Sequence, residues 1–160
     1  MRKEFARCLY EQMQKNQSIV LLSGDLGFGL WDKIMEDYPD RFINTGAAEV
    51  SLITIAVGLA LEGKIPFCYS ISPFLIYRPF EAIKSYINGE SIPVKLIGSG
   101  QTEQCYSHEG PSHASWDIPY FLDGFANIAK YYPEEREEIP DLVQTLIDNN
   151  APSVMLLRQK

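Results

Sequence analysis

Asp37-Tyr-Pro-Asp-Arg41-Phe-Ile-Asn-Thr-Gly46-Ala-Ala-Glu49-Val-Ser-Leu-Ile-Thr-Ile-Ala-Val-Gly58 joins a brief strand pattern to a long apolar helix pattern, with one acid at the junction. Phe42-Ile43-Asn44 reads as a short strand, Thr45-Gly46 as a turn, and Val50 to Leu61 as a helix stopped by Gly63. This helix is apolar nearly all the way round, and such helices are normally buried on every side. It is therefore expected to pack against another subunit as well as its own core. Glu49 is the only charged residue between Arg41 and Glu62. A carboxylate there is poorly solvated, which favours its protonated form and makes it a candidate catalytic acid. An acid in a first helical turn is equally well placed by the macrodipole, and on these residues alone that plainer account comes first.

Outward from this stretch, helix and strand patterns alternate. Glu4 to Lys15 has Phe5, Cys8, Leu9 and Met13 on one helical face. Ile19 to Leu22 is a continuous apolar run of the buried-strand kind, broken by Ser23-Gly24-Asp25. A short helix over 30–37 ends before Pro39. Strands are expected over 66–70, 93–97, 127–131 and 153–157, with helices over 80–87 and 134–148 and a turn or short helix over 117–122. Strands separated by helices imply βαβ units, hence an α/β fold with a mainly parallel sheet and helices on both faces.

The bulk numbers fit one domain, residues 1–160. The chain is 46% hydrophobic and 22% charged, ordinary values for a globular protein. A net charge of −7 with no basic stripe argues against nucleic acid as a partner. Cys8, Cys68 and Cys105 cannot all pair internally, which suits a reducing cytoplasm. The N-terminus lacks an apolar signal-peptide core, and Val50 to Leu61 is too short to span a bilayer, so no membrane association is expected.

Ligands of open parallel sheets gather beyond the carboxyl ends of strands. The loops expected there are 23–29, 45–49, 70–78 and 98–113. The glycines of the first do not have dinucleotide spacing, and turns explain them better. The third carries Tyr69, Phe74, Tyr77 and Phe80 around Arg78, bracketed by Pro73 and Pro79, which favour an irregular, extended course. Core packing is the default for such aromatics, although their faces could also stack on a flat heterocycle. The fourth holds Cys105, His108, Glu109 and His113. Zinc ligation, a cysteine nucleophile with a histidine base, and plain solvated polar residues all remain open there.

In order along the chain, these segments resemble the pyrimidine-binding domain of the transketolase family of thiamine-diphosphate enzymes. Ser23-Gly24-Asp25-Leu26 resembles the family's Ser-Ala-Asp-Leu, and 38–49 its Pro-Asp-Arg-Phe-x-Asn-x-Gly-x-x-Glu signature. Residues 73–83 resemble its aromatic, arginine-containing segment. Glu109-Gly110-Pro111-Ser112-His113 is similar to Asp-Gly-Pro-Thr-His, with Asp117 matching a downstream acid, and 151–158 resembles the domain's last strand. The resemblance implies that Glu49 hydrogen-bonds N1′ of the cofactor's aminopyrimidine and exchanges a proton with it. It implies an aromatic wall from Phe74, Tyr77 and Phe80, with Phe74 stacking, and a supporting role for Asp25. His113 would be catalytic, stabilising charge on the substrate's reacting oxygens, with His108, Glu109 and Arg78 also on the substrate side.

The family binds Mg²⁺ and the diphosphate with a second domain carrying Gly-Asp-Gly and a downstream Asn. No Gly-Asp-Gly occurs in this chain, so the diphosphate-binding domain and the family's C-terminal domain are expected to be absent. The resemblance then implies one half of a split, two-chain transketolase-like enzyme, expected as an α₂β₂ assembly, that moves a two-carbon ketol unit between a ketose and an aldose. A separately encoded partner would hold Mg²⁺ and the diphosphate of the shared thiamine diphosphate. The rivals are a split synthase or decarboxylase using a 2-oxo acid, similar to deoxyxylulose-phosphate synthase, and a non-catalytic partner subunit. Glu109 and His108 depart from the family pattern, which leaves substrate preference open.

Overall fold

Four largely apolar, buried runs and two short, partly exposed edge segments pair into one sheet. The computed structural model describes residues 1–101 and 106–158. The strands are β1 (Ile19–Ser23), β2 (Phe42–Asn44), β3 (Ile65–Ile71), β4 (Lys95–Ser99), β5 (Ala129–Tyr131) and β6 (Ser153–Leu157). Their order is β2-β1-β3-β4-β6-β5, and every pair is parallel. The α/β expectation holds, with a sheet that is parallel throughout. Alternate side chains of each strand feed two cores. Leu21, Phe67, Tyr69, Ile97 and Met155 pack on one face with α1 (Arg2–Lys15), α2 (Asp32–Asp37) and, C-terminally, the helix over Ile139–Asp148. Val20, Leu22, Cys68, Leu96 and Val154 pack on the other with α3 (Glu49–Leu61), α4 (Ser72–Tyr77), α5 (Phe80–Ala82) and α6 (Ile118–Asp123). The C-terminal helix, Ile139–Asp148, is α7.

Several elements differ from their sequence reading. The strand expected over 127–131 is confined to Ala129–Tyr131, and the helix expected over 134–148 opens as a 3₁₀ turn over Arg136–Glu138 before Ile139–Asp148. The segment bracketed by Pro73 and Pro79 is helical rather than extended. Pro73 sits in the first turn of α4, where its missing N–H is no loss. The expected 80–87 helix continues in π-helical geometry over Ile83–Gly89, keeping both Ile83 and Ile87 buried. β4 begins two residues late, because Pro93 cannot donate and the Val94 N–H turns back to the Ile92 carbonyl at 2.8 Å. It also runs through Gly98, which has the sequence character of a strand end. A Cβ at Gly98 would lie 2.5 Å from Ser72 Oγ and 2.7 Å from Leu156 Cδ2, so glycine lets α4 and β6 close on the strand.

Polar side chains fasten the helices. Arg41 donates to the Met13 and Asn16 carbonyls at 3.0 Å each, satisfying the end of α1. Lys95, 1% exposed, points its ammonium at Asn149 O (2.9 Å), Asn149 Oδ1 (2.6 Å) and Ala151 O (2.6 Å), beyond the last turn of α7. Burial pushes Lys95 down to about 8, so at neutral pH it keeps three donors for three acceptors. α3 buries Leu52, Ile53, Ala56, Val57 and Ala60, while Val50, Ile55 and Leu61 on its other side are exposed. No helix among the described residues is long and apolar enough to cross a membrane.

Two outcomes follow from these ties. Lys95→Met strands buried carbonyl oxygens and should lower unfolding free energy by about 2 kcal/mol or more, read from urea denaturation. Glu4 accepts from Arg7 and from Arg136 (2.7 Å), joining α1 to the turn before α7. The hydrogen bonds from Arg7 and then Arg136 hold its carboxyl down to about 2 from an ordinary 4.5. Folding thus lowers this pKa. The stabilisation is complete above about pH 4.5 and drains away as pH falls towards 2. Glu4→Gln should flatten the pH dependence of stability in that window and lower stability by a constant amount between pH 6 and 8.

Candidate active site

The chain visits β2 on one side of β1 and then crosses to β3 on the other, so the strand order reverses between β1 and β3. Parallel sheets place ligands at the carboxyl ends on either side of such a reversal. There the Thr45 N–H donates to the Ser23 carbonyl at 3.0 Å, and Gly24 N–H to the Tyr69 carbonyl at 2.9 Å. Asn44 Oδ1 accepts from Gly46 N–H (3.0 Å) and Asp25 N–H (3.2 Å), while its Nδ2 donates to Asp25 Oδ1 (3.2 Å). This clasp fixes the turn that delivers Glu49 to the first position of α3. Asp25 itself is exposed, held at φ +55°.

Glu49 is 2% exposed. Ser70 Oγ, at the end of β3, donates to its Oε1 at 3.1 Å, and Arg78 Nη1 donates to its Oε2 at 2.8 Å. The sequence implies a buried acid without a counter-charge; the structure supplies one in Arg78. A buried carboxylate needs such partners, since removing it from water is otherwise costly. Gly24 completes the cradle. A Cβ on it would lie 3.0 Å from Ser70 Oγ and 3.3 Å from Glu49 Oε1. Sequence reasoning does not identify Ser70 or Gly24 as a partner of the acid. The available signal is a polar residue closing an apolar strand where ligands gather.

The guanidinium carbon of Arg78 also stands 3.6 Å from the centre of the Phe74 ring, and the His113 ring meets Phe74 at 4.7 Å with planes 65° apart. Glu49, Arg78, Phe74 and His113 thus form one row. Ser112 Oγ lies 3.1 Å from His113 Nδ1. Tyr77 and Phe80 lie in a different cluster. Tyr77 donates to Asp117 Oδ1 at 2.5 Å and meets Phe121 at 5.2 Å, while Phe80 packs on Phe121 and Phe125 at 5.2 and 5.6 Å. Arg78 follows Phe74 at the four-residue spacing that stacks side chains on one helical face, whereas Tyr77, one position and about 100° before Arg78, is held by Asp117 and Phe121 on the α6 side. Burial, with the Asp117 hydrogen bond, pushes the Tyr77 hydroxyl up, so it remains a neutral donor.

His108 and Glu109 are exposed and 3.2 Å apart, facing each other. Cys105, and with it the zinc and cysteine-nucleophile readings, lies outside the described residues. Among the described residues no group of three or more His, Cys, Asp and Glu could hold a metal ion. The donor set fits one half of a composite ligand: an aromatic face beside a buried carboxyl, suited to a flat, nitrogen-bearing ring.

These elements define a parallel α/β domain with a buried acid, a cation and an aromatic ring in line at its switch point. Residues 1–160 match the family model described as transketolase, pyrimidine binding domain, and the chain belongs to that family. It is 32% identical over 126 residues to one of the subunits of the apulose-4-phosphate transketolase of Actinobacillus succinogenes, covering 79% of this chain and 40% of that protein. It is 30% identical over 155 residues to 1-deoxy-D-xylulose-5-phosphate synthase of Acidobacterium capsulatum, covering 94% and 24% respectively. Among solved structures, a split-gene transketolase described as an inactive beta4 tetramer superposes with a TM-score of 0.87 at 26% identity, covering 99% of this chain and 50% of that one. The chain thus spans half or less of the length of each of these proteins.

Gly24→Val should fold with a loss of about 1–3 kcal/mol through overpacking, measured by denaturant unfolding. The φ of Gly24 is not positive, so the loss is steric. Combination with Ser70→Ala, which removes the nearer atom, should cost less than the sum of the two single changes.

Proposed function

We propose that this chain is the pyrimidine-binding subunit of a split transketolase-like enzyme, with Glu49 as the acid that works on the aminopyrimidine of thiamine diphosphate. The observation carrying this reading is the row itself: a carboxyl 2% exposed, joined through Arg78 to an aromatic ring that a histidine flanks, at the switch point of a domain from this family. Thiamine diphosphate, when bound, supplies the nucleophilic carbon that accepts the two-carbon unit. Phe74 offers the ring face for the pyrimidine. Glu49 holds and returns a proton at the ring nitrogen, oriented by Ser70. His113, beside Phe74, donates to the substrate oxygen on which charge develops. Tyr77 and Phe80, packed on Phe121 in the neighbouring cluster, stand outside this row, and Asp25 supports the turn before Glu49. His108 and Glu109 stand towards the substrate side and bear on its choice.

The rest of the active site is on a separate diphosphate-binding subunit, which holds Mg²⁺ and the phosphates. The assembly is α₂β₂, and the uncovered Val50–Ile55–Leu61 side of α3 is the surface it closes over. The reaction is transfer of a two-carbon ketol unit from a ketose to an aldose. The buried free thiols Cys8 and Cys68 suit a reducing, cytoplasmic setting. The likeness to 1-deoxy-D-xylulose-5-phosphate synthase supports a second reading, in which the donor is a 2-oxo acid.

Mixed with a chain carrying Gly-Asp-Gly, the protein should show thiamine-diphosphate-dependent carboligation. Glu49→Gln should lower kcat by about 10²-fold or more. Retention of wild-type kcat by Glu49→Gln would sink the proposal. Turnover with pyruvate and not with ketoses would transfer it to the second reading.

A further inference from the structure

Arg78 occupies two places at once. Its Nη1 takes Glu49 Oε2, and its flat guanidinium covers the Phe74 ring at 3.6 Å. Ser70 holds the other carboxyl oxygen. An ion-paired carboxylate only accepts hydrogen bonds, and so does a pyridine-type ring nitrogen. The two can bond only once a proton lies between them, and the oxygen that Arg78 holds is open to the ring nitrogen only when the cation moves. The same cation lies over the aromatic face that a planar ring would use, because guanidinium and heterocycle are both flat and both favour an aromatic face.

Resting on the function proposed above, we infer that Arg78 is a displaceable occupant of the aminopyrimidine subsite, which a planar aminopyrimidine replaces between Phe74 and Glu49. One side-chain movement frees the stacking face and the acid together. Arg78 has somewhere to go. Its side chain is 43% exposed, and it also lines a shallow cavity of about 210 Å³ on the outer side with Thr54, Glu81 and Tyr86. Glu81, three residues on, is exposed, takes part in none of the ion pairs among the described residues, and can receive the guanidinium there. In the unliganded chain Arg78 therefore keeps a buried carboxylate neutralised, and it surrenders that position to the ligand.

The test is calorimetric titration of the protein with 4-amino-5-hydroxymethyl-2-methylpyrimidine, which carries the ring without the diphosphate. Arg78→Ala should bind it about tenfold more tightly than wild type, the combined worth of a half-exposed ion pair and a cation–π contact. Glu49→Gln or Phe74→Ala in that background should remove the gain. In wild type, the ¹⁵N–¹H side-chain signals of Arg78 should shift on saturation. Binding by Arg78→Ala that equals or falls below wild type, or Arg78 signals unmoved at saturation, overturns the inference while leaving the aminopyrimidine site standing. Absence of binding by both wild type and Arg78→Ala overturns the proposed function, and the inference with it. If Arg78→Ala does not fold by circular dichroism, Arg78→Lys decides, because lysine lacks the planar cover and should also bind more tightly than wild type.

Discussion

A carboxylate withdrawn from water must be given back its hydrogen bonds, and the active end of this protein is arranged to do that for Glu49. Ser70 arrives from the end of β3 and Arg78 from beyond α4, while Gly24 leaves the space in which they meet. None of these residues is near Glu49 in sequence. They converge because β1 and β3 are adjacent parallel strands whose carboxyl ends open at the reversal of strand order. Take away the pairing of β1 with β3, and the acid has a charge with nothing to hold it.

Much of this architecture is legible in the residues. Continuous apolar runs such as Ile19–Leu22 and Ser153–Leu157 state that both faces of the sheet are covered, and alternation with helices states that the strands are parallel. Boundaries set by contacts far along the chain are less legible. Gly98 signals a break locally, yet it is a strand residue because Ser72 and Leu156 crowd it. The stretch between Pro73 and Pro79 likewise suggests extended backbone, but proline is tolerated in a first helical turn. Local signals there name a constraint without saying which structure satisfies it.

The acid can be picked out because it is solitary in an apolar stretch, and the ordered resemblance brings Phe74 and His113 to its side. Pairing is harder to read. Arg78 is four residues from Phe74, and only a helix turns that spacing into contact; on an extended course, the cation has no reason to lie on the ring or to reach Glu49. The resemblance groups Tyr77 and Phe80 with Phe74. Once α4 is helical, they pack instead on Phe121, in the cluster shared with α6.

The missing Cβ at Gly98 has a consequence for how this domain can vary. Positions 98, 72 and 156 come from β4, α4 and β6, and they compete for a single volume that a methyl group would overfill. Such positions cannot drift independently. A relative that carries alanine at the first should have given up bulk at one of the other two, so these three should change together across the family as a linked set. Because Ser72 opens the helix that bears Phe74 and precedes Arg78, evolutionary exchange within that buried trio would re-aim the platform of the site from beneath.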